Sequence, residues 1–200
     1  MKLVIATKNK GKLAEFERLL SPLGYEVLSQ ADCSIQGQAE ENGNSFQENA
    51  QLKAEYVFQR TGCTTLADDS GLCVDALDGR PGIFSARYGG PGLTDSDRVQ
   101  LLLNELADVP EEKRTAYFAC AICLIYPDGE KDIVFETCEG TIGREPVGEN
   151  GFGYDPVFMV DGKSFSQING TDKARISHRG KALRKVFELL KEKKEGYDYK

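Results

Sequence analysis

The sequence predicts an α/β fold built as one compact unit. Three observations carry that expectation. Short apolar runs alternate with helical periodicity, as where Lys2–Ala6 is followed by Leu13, Phe16, Leu19 and Leu20 on one helical face. Two longer runs, Arg114–Tyr126 and Lys131–Thr141, flank the turn Pro127-Asp128-Gly129-Glu130 and read as a β-hairpin. No internal repeat, low-complexity segment or linker interrupts the 200 residues, so a single domain over 1–200 is expected.

Taken in order, Lys2–Ala6 is the first strand. The loop Thr7-Lys8-Asn9-Lys10-Gly11-Lys12 then leads into a helix that Pro22 and Gly24 end. A helix N-terminus attracts anions through its orphan N–H groups and its positive dipole end. The loop reads either as a solvated, lysine-rich turn or as an anion site, and since three lysines at that end are unfavourable unless an anion offsets them, the anion site is favoured. The Walker A spacing is absent. Tyr25–Ser29 is a second strand, and residues 31–44 form a loop whose most polar part is Glu40-Glu41-Asn42-Gly43-Asn44. Ser45 opens a helix as N-cap, with Glu48 completing a capping box. Phe46, Ala50, Ala54, Val57 and Phe58 make its apolar face. Local pattern alone treats Lys53, Glu40 and Glu41 as solvated charges.

Thr64–Ala67 reads as a buried strand ending in Asp68-Asp69-Ser70-Gly71. Two buried carboxylates cost several kcal/mol each unless cations lie nearby, by roughly the ion-desolvation penalty. Two readings stand: an Asx-type turn, or a site for a hard divalent metal at a strand end. Leu72–Leu77, a turn over Asp78–Gly82 and a long ordered loop over Ile83–Gly92 follow. A helix is expected from Thr94 or Asp95 to Ala107, with Val99, Leu102, Leu103 and Leu106 inward. After the hairpin, Gly143–Asp155 is loop and Val157–Val160 a short strand. Phe152, in Gly151-Phe152-Gly153-Tyr154-Asp155-Pro156, is placed either to stack on a base or to plug the core edge. The last helix begins at Ser177-His178-Arg179-Gly180 and continues through Ala182, Leu183, Val186, Phe187 and Leu190, with Lys191–Glu195 solvated and Gly196–Lys200 frayed.

Composition narrows the function. A net charge of -7 argues against a binder of nucleic-acid polymers or of membrane surfaces, and no run is long enough to span a membrane. A small anionic ligand on a local basic cluster remains compatible. Cys120-Ala121-Ile122-Cys123 has redox or zinc spacing but lies in an apolar strand without a second pair. The six cysteines therefore read as thiols of a cytoplasmic protein. His178 is the single histidine, which excludes His-rich metal sites, and no G-x-S-x-G elbow accompanies it, which argues against a Ser-His-Asp hydrolase.

Several segments together carry a resemblance. These are Thr7-Lys8-Asn9-Lys10-Gly11-Lys12; Glu41-Asn42-Gly43 with Ser45-Phe46, Glu48-Asn49-Ala50 and Lys53-Ala54; Ala67-Asp68-Asp69-Ser70-Gly71-Leu72; Pro81–Tyr88; Gly151–Phe158; and Lys173 with Ser177-His178-Arg179-Gly180. Over nearly its whole length the chain resembles the inosine/xanthosine triphosphate pyrophosphatases, which clear non-standard purine nucleotides. Gln167 departs from the pattern where an acid is common.

The resemblance implies an elongated mixed sheet flanked by helices, two lobes with a central substrate cleft, and a homodimer. It implies Mg²⁺-dependent cleavage of ITP, dITP or XTP to monophosphate and pyrophosphate. Asp69 would be general base and metal ligand, Asp68 its support, and Glu41 or Glu40 a second acid near the metal. Thr7, Lys8, Asn9, Lys10, Gly11, Lys12, Lys53 and Ser70 would bind the phosphate end. Phe152, Gly153, Tyr154 and Asp155 would hold the base, with Lys173, His178 and Arg179 completing its pocket. A nucleotide sensor that binds without turnover, or a related pyrophosphatase for other bases, are the competing expectations.

Overall fold

The computed structural model describes residues 1–198, apart from the side chains of Lys10 and of 196–198. Among the described residues seven strands form one mixed sheet: β1 (Lys2–Ile5), β2 (Glu26–Ser29), β3 (Thr64–Val74), β4 (Thr115–Ile125), β5 (Lys131–Ile142), β6 (Phe158–Val160) and β7 (Lys163–Ser164). Their order across the sheet is β2-β1-β3-β4-β5-β6-β7. β1 runs parallel to both neighbours, with Ile5 opposite Ser29 on one side and Leu66 on the other. β6 is antiparallel to β5 and β7. The helices are α1 (Lys10–Leu20), α2 (Phe46–Thr61), α3 (Asp95–Glu105), α4 (Gly170–Ile176) and α5 (His178–Asp198). The fraying expected over Gly196–Lys200 gives way to helix through Asp198, and the last two residues lie outside the described ones.

The chain divides into two compact units, one made of Met1–Asp69, Cys120–Glu136 and the segment from Lys181, the other of Ser70–Ala119 and Thr137–Gly180. In the first, Leu3 and Ile5 point to one face, as residues two apart on a strand must. There they join Phe16 and Leu20 of α1, Leu66 of β3, the alternating Cys120, Ile122 and Leu124 of β4, and Ala182, Leu183, Val186 and Leu190 of α5. The other set on β4, Ala119, Ala121, Cys123 and Ile125, is buried too. That explains why the run is apolar almost without interruption. In the second unit Leu72 and Val74 pack with Val99, Leu102 and Leu106 of α3 and with an aromatic group. Phe118 lies 4.6 Å from Phe158, and Phe158 lies 4.9 Å from Phe165, centroid to centroid.

A single buried cation ties three chain segments in this unit. Arg114, 1% exposed, donates from Nε to Ile142 O at 2.8 Å, from one terminal nitrogen to Leu106 O at 2.5 Å and from the other to Gly143 O at 2.8 Å. Burial pulls its guanidinium below the usual range.

The main correction concerns β3. It does not stop at Ala67 but continues through Asp68, Asp69, Ser70 and Gly71 to Val74. Turn-forming residues are held extended there because β4 flanks the strand and cations answer the acids. The turn reading of this stretch is thereby replaced by a strand interior. Smaller differences follow local hydrogen bonding. Ser45 Oγ accepts from Glu48 N at 3.1 Å as expected, but Glu48 reaches Asn44 N rather than Ser45 N. The reciprocal box forms instead at α3, between Thr94 and Asp97. Replacing Thr94 by Ala is expected to cost about 1 kcal/mol, read from a urea midpoint. The expected loop over Ile83–Gly92 contains a 3₁₀ turn, Gly82–Arg87. The unforeseen α4 starts at Asn169, whose Oδ1 accepts from Thr171 N and Asp172 N. Gln167 Oε1 accepts from Ser164 N at 2.9 Å, so the residue that departs from the pattern serves as a local cap. No disulfide joins any of the six cysteines, all within the described residues, and burial pushes Cys123 up to about 11. No described helix is long and apolar enough to cross a membrane.

Candidate active site

In the first unit the parallel pairing of β1 with β3 ends at Ile5–Leu66, and β3 carries on. Asp68 and Asp69 therefore lie just beyond the carboxyl end of β1, where open α/β sheets bind ligands. They are 2% and 6% exposed. Each acid meets a lysine supplied by a helix. Lys12, in the first turn of α1, places Nζ 2.7 Å from Asp68 Oδ2. Lys53, on α2, places Nζ 2.9 Å from Asp69 Oδ1 and 3.6 Å from Glu41. The start of α1 is set by its cap. Asn9 Oδ1 accepts from Lys12 N at 3.1 Å, and Thr7 Oγ1 accepts from Asn9 N at 3.2 Å.

A residue to which sequence reasoning gave no role, Asn49, completes the cluster. It is 0% exposed and stands one helical turn before Lys53. Its Nδ2 donates to Asp69 Oδ2 at 3.3 Å, and its Oδ1 accepts from Gly43 N at 2.9 Å. The signal was present in the sequence: a polar residue four before Lys53, on a helix whose neighbouring stripe is apolar. Gly43 is required by this approach, since a Cβ there would lie 2.7 Å from Glu48 Cβ and 2.8 Å from Asn49 Oδ1.

Burial pushes the Asp69 carboxyl above its ordinary range, against the opposing pull of Lys53. Burial also works against the Lys53 ammonium, but Asp69, Asp68 and Glu41 outweigh it and hold the group above its usual value. Among the described residues no three His, Cys, Asp or Glu side chains converge as a ready-made metal cage. Mg²⁺, however, is usually held by one or two carboxylates together with substrate phosphates and water. The all-oxygen set of Asp68, Asp69 and Glu41 suits it in kind. Glu40 is exposed, as are Lys8, Asn9 and Gly11, while Thr7 and Ser70 are half-buried. The Lys10 side chain lies outside the described residues.

In the second unit the residues expected to hold a base converge on Phe152, whose ring is half-buried. Lys173 Nζ lies 5.4 Å and Arg179 Cζ 5.5 Å from its centroid. Lys173 is buried and pairs with Asp155 at 2.5 Å, and Asp155 also accepts from Phe152 N at 2.9 Å. His178 is buried with its ring stacked on Phe118, centroids 4.7 Å apart and planes at 16°. Tyr154 is turned inward and donates to Ser85 O at 3.0 Å, and Gly153 N donates to Asp95 at 2.9 Å. These two contacts fix the loop on which the half-buried Phe152 stands. The α4–α5 corner is tight: a Cβ on Gly180 would lie 1.8 Å from Ala174 O. The arrangement offers an aromatic face with cationic donors around it, suited to a planar group bearing a carbonyl.

Comparison with known proteins is consistent over nearly the whole chain. The family model described as the Ham1 family matches residues 3–189. A dITP/XTP pyrophosphatase of Exiguobacterium is 51% identical over 188 residues, covering 93% of this chain and 95% of the relative. That of Bacillus subtilis is 44% identical over 189 residues, covering 94% and 96%. Among solved structures, a HAM1 protein from Coxiella burnetii superposes with a TM-score of 0.89 at 40% identity, covering 96% of this chain and 99% of that one. The Ham1 protein of Staphylococcus aureus gives 0.88 at 38% identity, covering 96% and 100%.

Proposed function

The chain belongs to the Ham1 family, and from that premise we propose that it hydrolyses non-standard purine nucleoside triphosphates, ITP, dITP and XTP, to monophosphate and pyrophosphate. The observation that carries this reading is the pair of buried acids on β3, each met by a lysine from a separate helix. A pure binder gains little from two negative charges beside a polyphosphate, whereas hydrolysis needs both a base and a cation site.

Water attacks the α-phosphorus, its proton passes to Asp69, and the bond to the bridging oxygen breaks to release pyrophosphate. Burial has already made the Asp69 carboxylate a stronger base than an exposed one. Lys12 and Lys53 exchange their acids for phosphate oxygens as the substrate binds, with the α1 N-terminus adding N–H donors. Thr7, Asn9, Gly11 and Ser70, with Lys8 and Lys10, are assigned to the same end of the substrate. Asp68, Asp69 and Glu41 would hold Mg²⁺, which neutralises charge on the polyphosphate when bound. The exposed Glu40 is the weaker candidate for that role.

The residues around Phe152 take the base. The ring supplies a stacking face, and His178 and Arg179 supply donors to a 6-oxo group. The 6-amino group of adenine would oppose donor to donor, and buried unmatched polar groups discriminate strongly. The proposal is completed by a single functional domain over the whole chain, acting as a homodimer in the cytoplasm.

A panel of ITP, dITP, XTP, ATP, GTP and pyrimidine triphosphates with Mg²⁺, scored for pyrophosphate, tests the reading. Inosine and xanthosine nucleotides are expected to exceed ATP by about a hundredfold or more in kcat/KM. Chelation is expected to abolish release, and added Mg²⁺ to restore it. Tight binding without release would identify a sensor instead, and preferred turnover of a pyrimidine would move the base assignment.

A further inference from the structure

We propose that Asn49 is a positioning residue that fixes the catalytic carboxylate of Asp69 when Lys53 turns to the substrate. The inference deepens the pyrophosphatase reading and rests on it. The two oxygens of Asp69 are held separately, Oδ1 by Lys53 and Oδ2 by Asn49. Both donors come from one face of α2, four residues apart, so one helix sets both contacts. They differ in what they can do. Lys53 is a long, flexible chain carrying a charge that phosphate oxygens attract, and its bond to Asp69 is therefore conditional. Asn49 is short, 0% exposed, and anchored at its other end by Gly43 N. Its contact survives substrate binding.

The orientation of the Asn49 amide is forced from both sides. The Gly43 N–H requires an acceptor, so the oxygen faces it, and the amino group is left to face the carboxylate. Few side chains could replace it. Aspartate keeps the acceptor for Gly43 but presents a second anion to Asp69. Alanine removes both contacts. Through the same amide, the backbone two residues beyond Glu41 is tied to the base. A displacement of either is felt by the other, and an error near 1 Å in a reacting group costs about a hundredfold in rate.

Steady-state kinetics of dITP hydrolysis with saturating Mg²⁺, together with thermal melting, test this on Asn49→Asp and Asn49→Ala. Asn49→Asp is expected to lower kcat by about a hundredfold, and Asn49→Ala by about tenfold, with KM within about threefold of the unaltered protein. If Asn49 merely holds the Gly43 turn, Asn49→Asp keeps that bond and kcat stays within about twofold, which overturns the proposal. A rise in KM with kcat unchanged overturns it as well. Should the aspartate variant fail to fold, Asn49→Ala decides alone: folded with kcat within twofold, or with KM or the Mg²⁺ requirement raised as loss of the Gly43 turn would raise them, overturns the role, whereas folded and tenfold slower at unchanged KM and Mg²⁺ requirement supports it. Failure of the unaltered protein to turn over any nucleotide sinks the pyrophosphatase reading instead, so the two failures are told apart.

Discussion

Replacement of Asp69 by Asn is expected to lower the rate of pyrophosphate release by about a thousandfold, within the range that loss of a general base commonly costs. The amide oxygen can still accept from Lys53 Nζ, now 2.9 Å from Oδ1. No proton can be taken from water, however. The new amino group would also face that of Asn49, which donates to the same position across 3.3 Å. One of the two amides must turn, at a cost of about 1 kcal/mol for the hydrogen bond lost. The variant should therefore remain folded and slightly less stable, with affinity for the nucleotide alone, measured without Mg²⁺, kept or improved because a negative charge beside the polyphosphate is gone. Initial rates, a melting curve and a titration with dITP separate these effects. A variant that keeps more than a tenth of the unaltered rate would remove Asp69 from the role of base.

Replacement of Arg114 by Leu is expected to be the most destabilising single change in the second unit, by about 3 to 5 kcal/mol, from about 1 to 3 kcal/mol for each acceptor left unpaired. Three carbonyl oxygens, of Leu106, Ile142 and Gly143, receive its guanidinium donors. Leucine fills part of the volume but leaves two buried acceptors and the part-buried Gly143 oxygen without those charged partners. Arg114→Lys is expected to recover less than half of the loss, because a point charge cannot serve three directions that a planar fork serves at once. Urea denaturation followed by circular dichroism gives the difference directly. A loss below about 1 kcal/mol for the leucine variant would show that water satisfies the carbonyls instead.

Elements with one dominant signal were legible in the sequence. The hairpin, the apolar faces of α1 and α3 and the Ser45 cap each rest on periodicity or on a local hydrogen bond, and each formed within a few residues of expectation. The fate of Asp68-Asp69-Ser70-Gly71 was not legible, because every residue in it favours a turn, while what keeps it extended, the neighbouring β4 and the cations of Lys12 and Lys53, comes from distant segments. Lys53 itself shows the same limit. A lysine beside an apolar stripe reads as solvated until the strand it meets is known. Its role follows from the motif resemblance, and its contact with Asp69 arises only when α2 packs beside β3. The role of Asn49 was not legible for a related reason: its spacing from Lys53 marked it, but its meaning depends on two partners six and twenty positions away, Gly43 and Asp69. The residues near Phe152 were named together from the motif, but the inward turn of Tyr154 needed the position of Ser85.

The corner at Gly180 limits how base preference could be redesigned. Because not even a methyl group fits against Ala174 O, the chain there has no slack, and His178 and Arg179 cannot be respaced by a shift of the main chain. Altered preference must come from exchanging the groups those positions carry. A library varied in side-chain chemistry at 178 and 179 should yield folded proteins with new selectivity, whereas one that inserts, deletes or enlarges residues at the corner should yield mostly misfolded ones.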